Sequence, residues 1–214
     1  LQIKSRQRVI DHGEVFTSER EVNAMLDLVA QETMRIDSRF LEPACGAGNF
    51  LIEVLRRKLN IVEQCYKKSP FDYQRYALLA LTSLYGVDIL EDNVTQCRDR
   101  LFDYFAESYE RILKNPMEPR YQDSAKFILQ RNILWGDALT MKTADDLAQP
   151  LVFPQWSLLD GAMIKRKDYR FDTLLAYQPM GEGTLFSDSG EQAIIPQAVK
   201  EFPLRHFLDL CQDG

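Results

Sequence analysis

The chain has 214 residues, 45% of them hydrophobic and 27% charged, with a formal net charge of −6 at pH 7. That composition suffices for one globular domain with a full core, and the acidic balance excludes a surface that coats nucleic acid uniformly, because phosphate binding is driven by clustered Lys and Arg. No run reads as a transmembrane span or signal peptide, and the four cysteines, Cys45, Cys65, Cys97 and Cys211, lack Cys-x-x-Cys spacing, so reduced thiols in a cytoplasmic protein are expected.

In chain order, the first predicted element is a helix opening at Thr17 or Ser18. Ser18 with Glu21 three residues later is a capping-box pattern, and Val22, Met25, Leu26 and Val29 form one apolar face. A strand follows at Phe40, and it breaks at Glu42-Pro43-Ala44-Cys45-Gly46-Ala47-Gly48 before helical spacing resumes at Phe50 and runs to Leu59. Gly46 and Gly48 supply what a sharp strand-to-helix bend requires, backbone without side chains that can pass close to a ligand. The amides at the start of the next helix can then face a nucleotide. Tyr73, Tyr76, Ala77, Ala80 and Leu81 predict a further helix between Tyr66 and Thr82.

The second strand, at Leu84, ends in Asp88, a carboxylate able to accept from both hydroxyls of a ribose. The dinucleotide rule puts such an acid about twenty residues after the glycines; here the interval is roughly twice that, which argues against an NAD dehydrogenase. Val94, Cys97, Leu101, Tyr104, Phe105 and Tyr109 predict a helix over Asp92 to Ile112, closed by Pro116 and Pro119. The third strand begins at Asn132 and ends in Asp137, which reads either as a site acid or as a turn aspartate bonding nearby backbone. Asp160-Gly161, flanked by Trp156 to Leu159 and Ala162 to Ile164, predicts a β-hairpin. Its outgoing arm carries Lys165-Arg166-Lys167, either a phosphate grip or a solvated basic edge that discourages aggregation. A fourth strand falls before or after the hairpin, and Met180 to Gly190 is rich in Gly and Ser. His12 and His206 lack a second metal ligand at useful spacing, so no metal site is expected.

The string Phe40-Leu41-Glu42-Pro43-Ala44-Cys45-Gly46-Ala47-Gly48-Asn49-Phe50-Leu51 resembles motif I of S-adenosylmethionine-dependent DNA methyltransferases, particularly the adenine-specific enzymes of restriction-modification systems. His12 to Leu26, Leu84 to Val94 and Asn132 to Leu139 resemble further motifs of that family in family order. The resemblance implies S-adenosylmethionine as cofactor, with Phe16 and Thr17 over its methionine moiety and Glu42, Pro43, Ala44, Gly46 and Gly48 in the turn around it. It also implies Asp88 on the ribose, Ile89 against the adenine face, and Asp137 with Ala138 at the adenine edge. The implied fold is α/β: a Rossmann-like class I methyltransferase whose doubly wound, mostly parallel sheet has an N-terminal helix and an inserted β-hairpin.

The family's catalytic tetrad, an Asn, Asp or Ser followed by Pro-Pro-aromatic, is missing. Its amide and proline carbonyl accept from the amine of a flipped adenine, and the aromatic stacks on the ring. Two stretches could replace it: Phe153-Pro154-Gln155-Trp156, or Tyr177-Gln178-Pro179-Met180 after a lead-in strand Phe171 to Ala176. Gln155 and Gln178 are displaced from the amide position, so the catalytic residues stay unassigned. Residues 1–214 are read as a single cofactor-binding domain without a target-recognition domain, and Leu as first residue reads as a removed tag or an internal boundary. The sheet should be unfinished at its C-terminal end, leaving an edge for a partner subunit or second copy. Two functions follow: a DNA adenine methyltransferase or its cofactor-binding portion, with DNA as partner and no membrane; or an inactive subunit that keeps the cofactor site.

Overall fold

The computed structural model describes residues 17–176 and 196–213. In chain order its elements are α1 (Glu19–Asp27), α2 (Ala30–Thr33), β1 (Phe40–Glu42), α3 (Asn49–Tyr66), α4 (Pro70–Thr82), β2 (Leu84–Asp88), α5 (Glu91–Leu113), α6 (Pro119–Asn132) and β3 (Ile133–Asp137). Then come β4 (Lys142–Thr143), β5 (Val152–Leu158), β6 (Met163–Arg170), α7 (Phe171–Ala176), β7 (Lys200–Glu201), β8 (Arg205–His206) and a 3-10 turn (Leu210–Asp213). The fold is mixed α/β. A four-stranded, mostly parallel sheet runs in the order β1-β2-β3-β4, with β4 antiparallel, and a second, antiparallel sheet is built on the β5–β6 hairpin.

Every residue of β2 is buried, as a central strand covered on both faces requires. Leu84 points to the side where α3, α4, α5 and α6 build the main core, and Tyr85 and Val87 point to a smaller cluster with Leu151, Phe153 and Phe171. Gly86 faces the helices because a side chain there has no space: a Cβ would lie 3.1 Å from both Cys45 Sγ and Leu51 Cδ1. Among the described residues β1 is an edge of its sheet, and no helix is long and apolar enough to cross a membrane.

Several boundaries differ from the sequence expectation for identifiable reasons. Ser18 caps α1, accepting from the Glu21 N–H while the Glu21 carboxylate accepts from the Ser18 N–H at 3.0 Å. Val22 and Leu26 are buried, but Met25 is 53% exposed within α1, and Val29, which lies past the end of α1 at Asp27, is 43% exposed. Tyr66 belongs to α3, since Ser69 and Pro70 open a new helix, and it stacks on Tyr76 at 4.1 Å. Pro119 does not close α5. It is the first residue of α6, a helix the sequence reading passed over although proline at that position loses no hydrogen bond.

The hairpin forms where its turn signal put it, with Leu158 opposite Ile164. It crosses the sheet toward the strands' amino ends. Tyr85 Oη donates to the Pro154 carbonyl at 2.8 Å, and Trp156 Nε1 donates to Asn132 Oδ1 at 2.9 Å. Asn132 Nδ2 in turn donates to the carbonyls of Thr82 and Leu84 at the start of β2. Phe171 to Ala176 is a helix, not the expected lead-in strand: Phe171 packs edge-on against Phe153 at 5.3 Å and its N–H donates to the Leu151 carbonyl.

Candidate functional site

The carboxyl ends of β1, β2 and β3 lie side by side, with Glu42 opposite Gly86 and Asp88 opposite Trp135. Between β1 and α3 the chain turns through Gly46 and Gly48, whose φ values are +50° and +84°. Gly48 is the N-cap of α3 and no side chain caps that helix, so its first amides keep no partner of the helix's own. The turn is tied down by the Cys45 N–H donating to the Val87 carbonyl and the Gly48 N–H donating to the Cys45 carbonyl. A Cβ on Gly48 would sit 2.7 Å from Cys97 Sγ, so helix α5 presses directly on the turn.

Asp88 holds this junction together. Its Oδ2 accepts from the Gly46 N–H at 2.8 Å, and its Oδ1 accepts from the Leu90 N–H at 2.9 Å and from Asn93 Nδ2 at 3.3 Å. A carboxylate offers about four acceptor positions, so about one remains for a ligand hydroxyl. Ile89 is 51% exposed beside it, and Trp135 Nε1 donates to the Ile89 carbonyl at 3.0 Å, which fixes the backbone that presents that side chain.

Asp137 stands at the end of β3, where Oδ1 accepts from the Leu139 N–H and Oδ2 from Thr140 Oγ1, both at 2.9 Å. The Leu139 N–H holds this carboxyl below its ordinary range, so it is ionised at neutral pH. The turn-aspartate geometry is thus present, and the carboxylate keeps acceptor positions beyond it. Ala138 packs against the smaller apolar cluster. Glu42 is half-buried, which pushes its carboxyl above the usual range against the lowering effect of the Ala44 N–H; Pro43 and Ala44 are exposed.

Thr17 reaches the turn: its carbonyl accepts from Asn49 Nδ2 at 3.2 Å, and Glu19 pairs with Arg56 of α3 at 3.3 Å. Phe16 lies outside the described residues. Asn49, Cys97 and Arg100 support the turn and Trp135 holds Ile89, and none of them was assigned a site role from the sequence. Arg100 donates through Nη1 to the Ala47 carbonyl and to Asn49 Oδ1, so one guanidinium braces both sides of Gly48. Asn49 was legible as the residue following Gly48, but Arg100 sits two turns into α5 with no local signal.

The catalytic candidates fare differently. Phe153-Pro154-Gln155-Trp156 forms the middle of β5, with the Pro154 carbonyl occupied by Tyr85 and Trp156 buried against Phe127 at 6.3 Å. It is not a loop at the carboxyl ends, because the hairpin carries it toward the other end of the strands. Tyr177 to Met180 lie outside the described residues. In the basic triplet, Arg166 neither grips phosphate nor forms a solvated edge: it is buried, donates to both oxygens of Asp168 at 2.7 Å and stacks 4.0 Å from the Phe202 ring centre. Lys165 and Lys167 both pair with Glu201, at 3.7 and 2.7 Å.

Compared with protein-family models, with curated proteins and with solved structures, the chain finds no match.

Proposed function

We propose that this chain binds S-adenosylmethionine across the carboxyl ends of β1, β2 and β3, as the cofactor-binding portion of an adenine-N6 DNA methyltransferase with a Rossmann-like class I fold. The described crossover helices α3 to α6 lie on one face of the sheet and do not show the expected double winding. The observation that carries the reading is the bond from the Gly46 N–H to Asp88, which joins the glycine turn and the strand-end acid into one cleft edge, with Asp137 on the next strand. The residues fit the cofactor's chemistry. The uncapped start of α3 offers amides to the methionine carboxylate, and Glu42 can meet its ammonium. Asp88 accepts from a ribose hydroxyl, Ile89 covers one face of the adenine, and Asp137 accepts from the exocyclic amine. Thr17, whose carbonyl accepts from Asn49 beside the glycine turn, stands at the methionine end.

The bound cofactor supplies an electrophilic methyl group; the chain's own residues bind and orient it. A second reading, an inactive methyltransferase-like subunit that keeps the site, is favoured by one observation: Pro154, the sole proline carbonyl in the described tetrad candidate, is spent on Tyr85. In either case a partner subunit or second copy would continue the sheet at an edge, and among the described residues β1, not the expected C-terminal end alone, is one.

Titration calorimetry with S-adenosylmethionine, S-adenosylhomocysteine and NAD tests the site. Binding of the two methionine nucleotides and not NAD supports it, and no binding to folded protein refutes it. Radiolabelled methyl transfer to adenine-containing DNA then separates the two readings.

A further inference from the structure

A cavity lies at the end of the sheet opposite the candidate cofactor site, where Asp37 and Arg39 precede β1 and Thr82 and Ser83 precede β2. Its volume is about 360 Å³, within the range of small-molecule sites. Two guanidinium groups line it with donors to spare. Arg75 donates from Nη2 to the Leu159 carbonyl at 2.7 Å, which anchors the hairpin turn, but its Nε is buried and without a partner. A buried charged donor left unmatched is costly, and it leaves the Arg75 guanidinium on the cavity wall short of acceptors. Arg39 makes no hydrogen bond or ion pair with any described residue.

Behind the wall stands Lys58, which burial brings down to about 7, so it is only partly charged at neutral pH. Ser83 Oγ gives its own proton to the Ala80 carbonyl and accepts from Lys58 Nζ at 2.6 Å. Lys58 is fully buried with no acid among its hydrogen-bond partners, and it donates also to the carbonyls of Ile36 and Ser38. The one acid lining the cavity, Asp37, lies 3.5 Å from Arg35. Positive charge therefore exceeds negative charge around the cavity.

We propose that this cavity is a phosphate-binding site, separate from the cofactor site, that takes a phosphomonoester between Arg39 and Arg75. A phosphate monoester carries about −1.5 to −2 charges at pH 7 and three acceptor oxygens, which suits two guanidinium forks better than a single carboxylate does. The cavity also has room for a small organic group attached to the phosphate. Because it lies at the amino ends of the strands, it is filled independently of the cleft at their carboxyl ends.

Trp156 lines this cavity and Trp135 does not, so in a Trp135→Phe protein the remaining indole reports the site. Inorganic phosphate, ribose 5-phosphate and acetate are titrated by fluorescence and calorimetry. Saturable binding of either phosphate, at least about tenfold tighter than acetate and weakened at least about tenfold by Arg39→Ala, supports the proposal. Tighter binding of ribose 5-phosphate than of inorganic phosphate identifies an organic phosphomonoester as the ligand; equal binding identifies free phosphate as sufficient. Arg39→Ala removes no hydrogen bond or ion pair with a described residue, so an unchanged melting temperature is expected, and Arg75→Lys provides a second variant that keeps the charge and removes the fork. No binding, equal binding of acetate, or phosphate binding unchanged in Arg39→Ala overturns the proposal.

Discussion

Replacing Gly48 by alanine combines two costs that can be measured apart. The residue has φ of +84°, a conformation that costs an L-residue about 1–2 kcal/mol. The new Cβ would also stand 2.7 Å from Cys97 Sγ, and Cys97 is completely buried in α5, so the sulfur has no open space to move into. Overpacking of that kind costs about 1–3 kcal/mol. Gly48→Ala is therefore expected to destabilise by about 2–5 kcal/mol in urea unfolding, as a lower midpoint at unchanged slope. Cys97→Ala alone should cost about 1–2 kcal/mol through lost packing. The double variant should be more stable than the sum predicts by about 1–3 kcal/mol, because only the backbone strain remains. Coupling below about 0.5 kcal/mol would refute the claim that pressure from α5 is what demands glycine here. The single variant should also bind S-adenosylmethionine more weakly, since Gly48 sets the direction of the first amides of α3.

The acids separate binding from folding. Asp88→Ala should weaken S-adenosylmethionine binding by about 1.5–3 kcal/mol and also destabilise the fold by about 1–3 kcal/mol, since the Gly46 and Leu90 N–H groups lose their acceptor; Asp137→Ala should show the first effect with little of the second. Unchanged calorimetric affinity in both variants would remove the site assignment. Burial pulls Lys58 down to about 7 from an ordinary 10.5, so between those values the unfolded chain binds more protons than the folded one, and stability rises with pH. Lys58→Met should abolish that rise, up to about 1.4 kcal/mol per pH unit, in unfolding curves taken between pH 7 and 9.5; equal slopes in both proteins would contradict it. Trp156→Phe should cost about 1–3 kcal/mol by leaving buried Asn132 Oδ1 without its donor, read as a loss of melting temperature.

Local patterns that act through neighbouring residues were legible in the sequence. The Ser18–Glu21 box, the glycine turn, the apolar faces of α3 and α5, and the Asp160-Gly161 hairpin all depend on spacings of a few residues. The acids at the ends of β2 and β3 were legible for the same reason, since a strand that stops in an aspartate marks its own end. Other features were not. Phe171 to Ala176 has a strand-like composition, yet contact with Phe153 and the Leu151 carbonyl makes it a helix. The basic look of Lys165 to Lys167 gave no sign that Arg166 turns inward to Asp168 and Phe202.

The sequence by itself determined where the chain bends at the glycine turn and the hairpin, where α1 begins and which acids close β2 and β3, because caps, periodicity and glycine freedom are properties of short segments. Tertiary structure alone decided that Asp88 spends most of its acceptors on Gly46, Leu90 and Asn93, that Arg100 braces the turn, and that two arginines from β1's approach and α4 share one cavity. The Gly46–Asp88 and Arg100–Ala47 bonds and the cavity shared by Arg39 and Arg75 join residues tens of positions apart, and their partners are chosen by packing and by the need to satisfy buried polar groups, which no local pattern encodes.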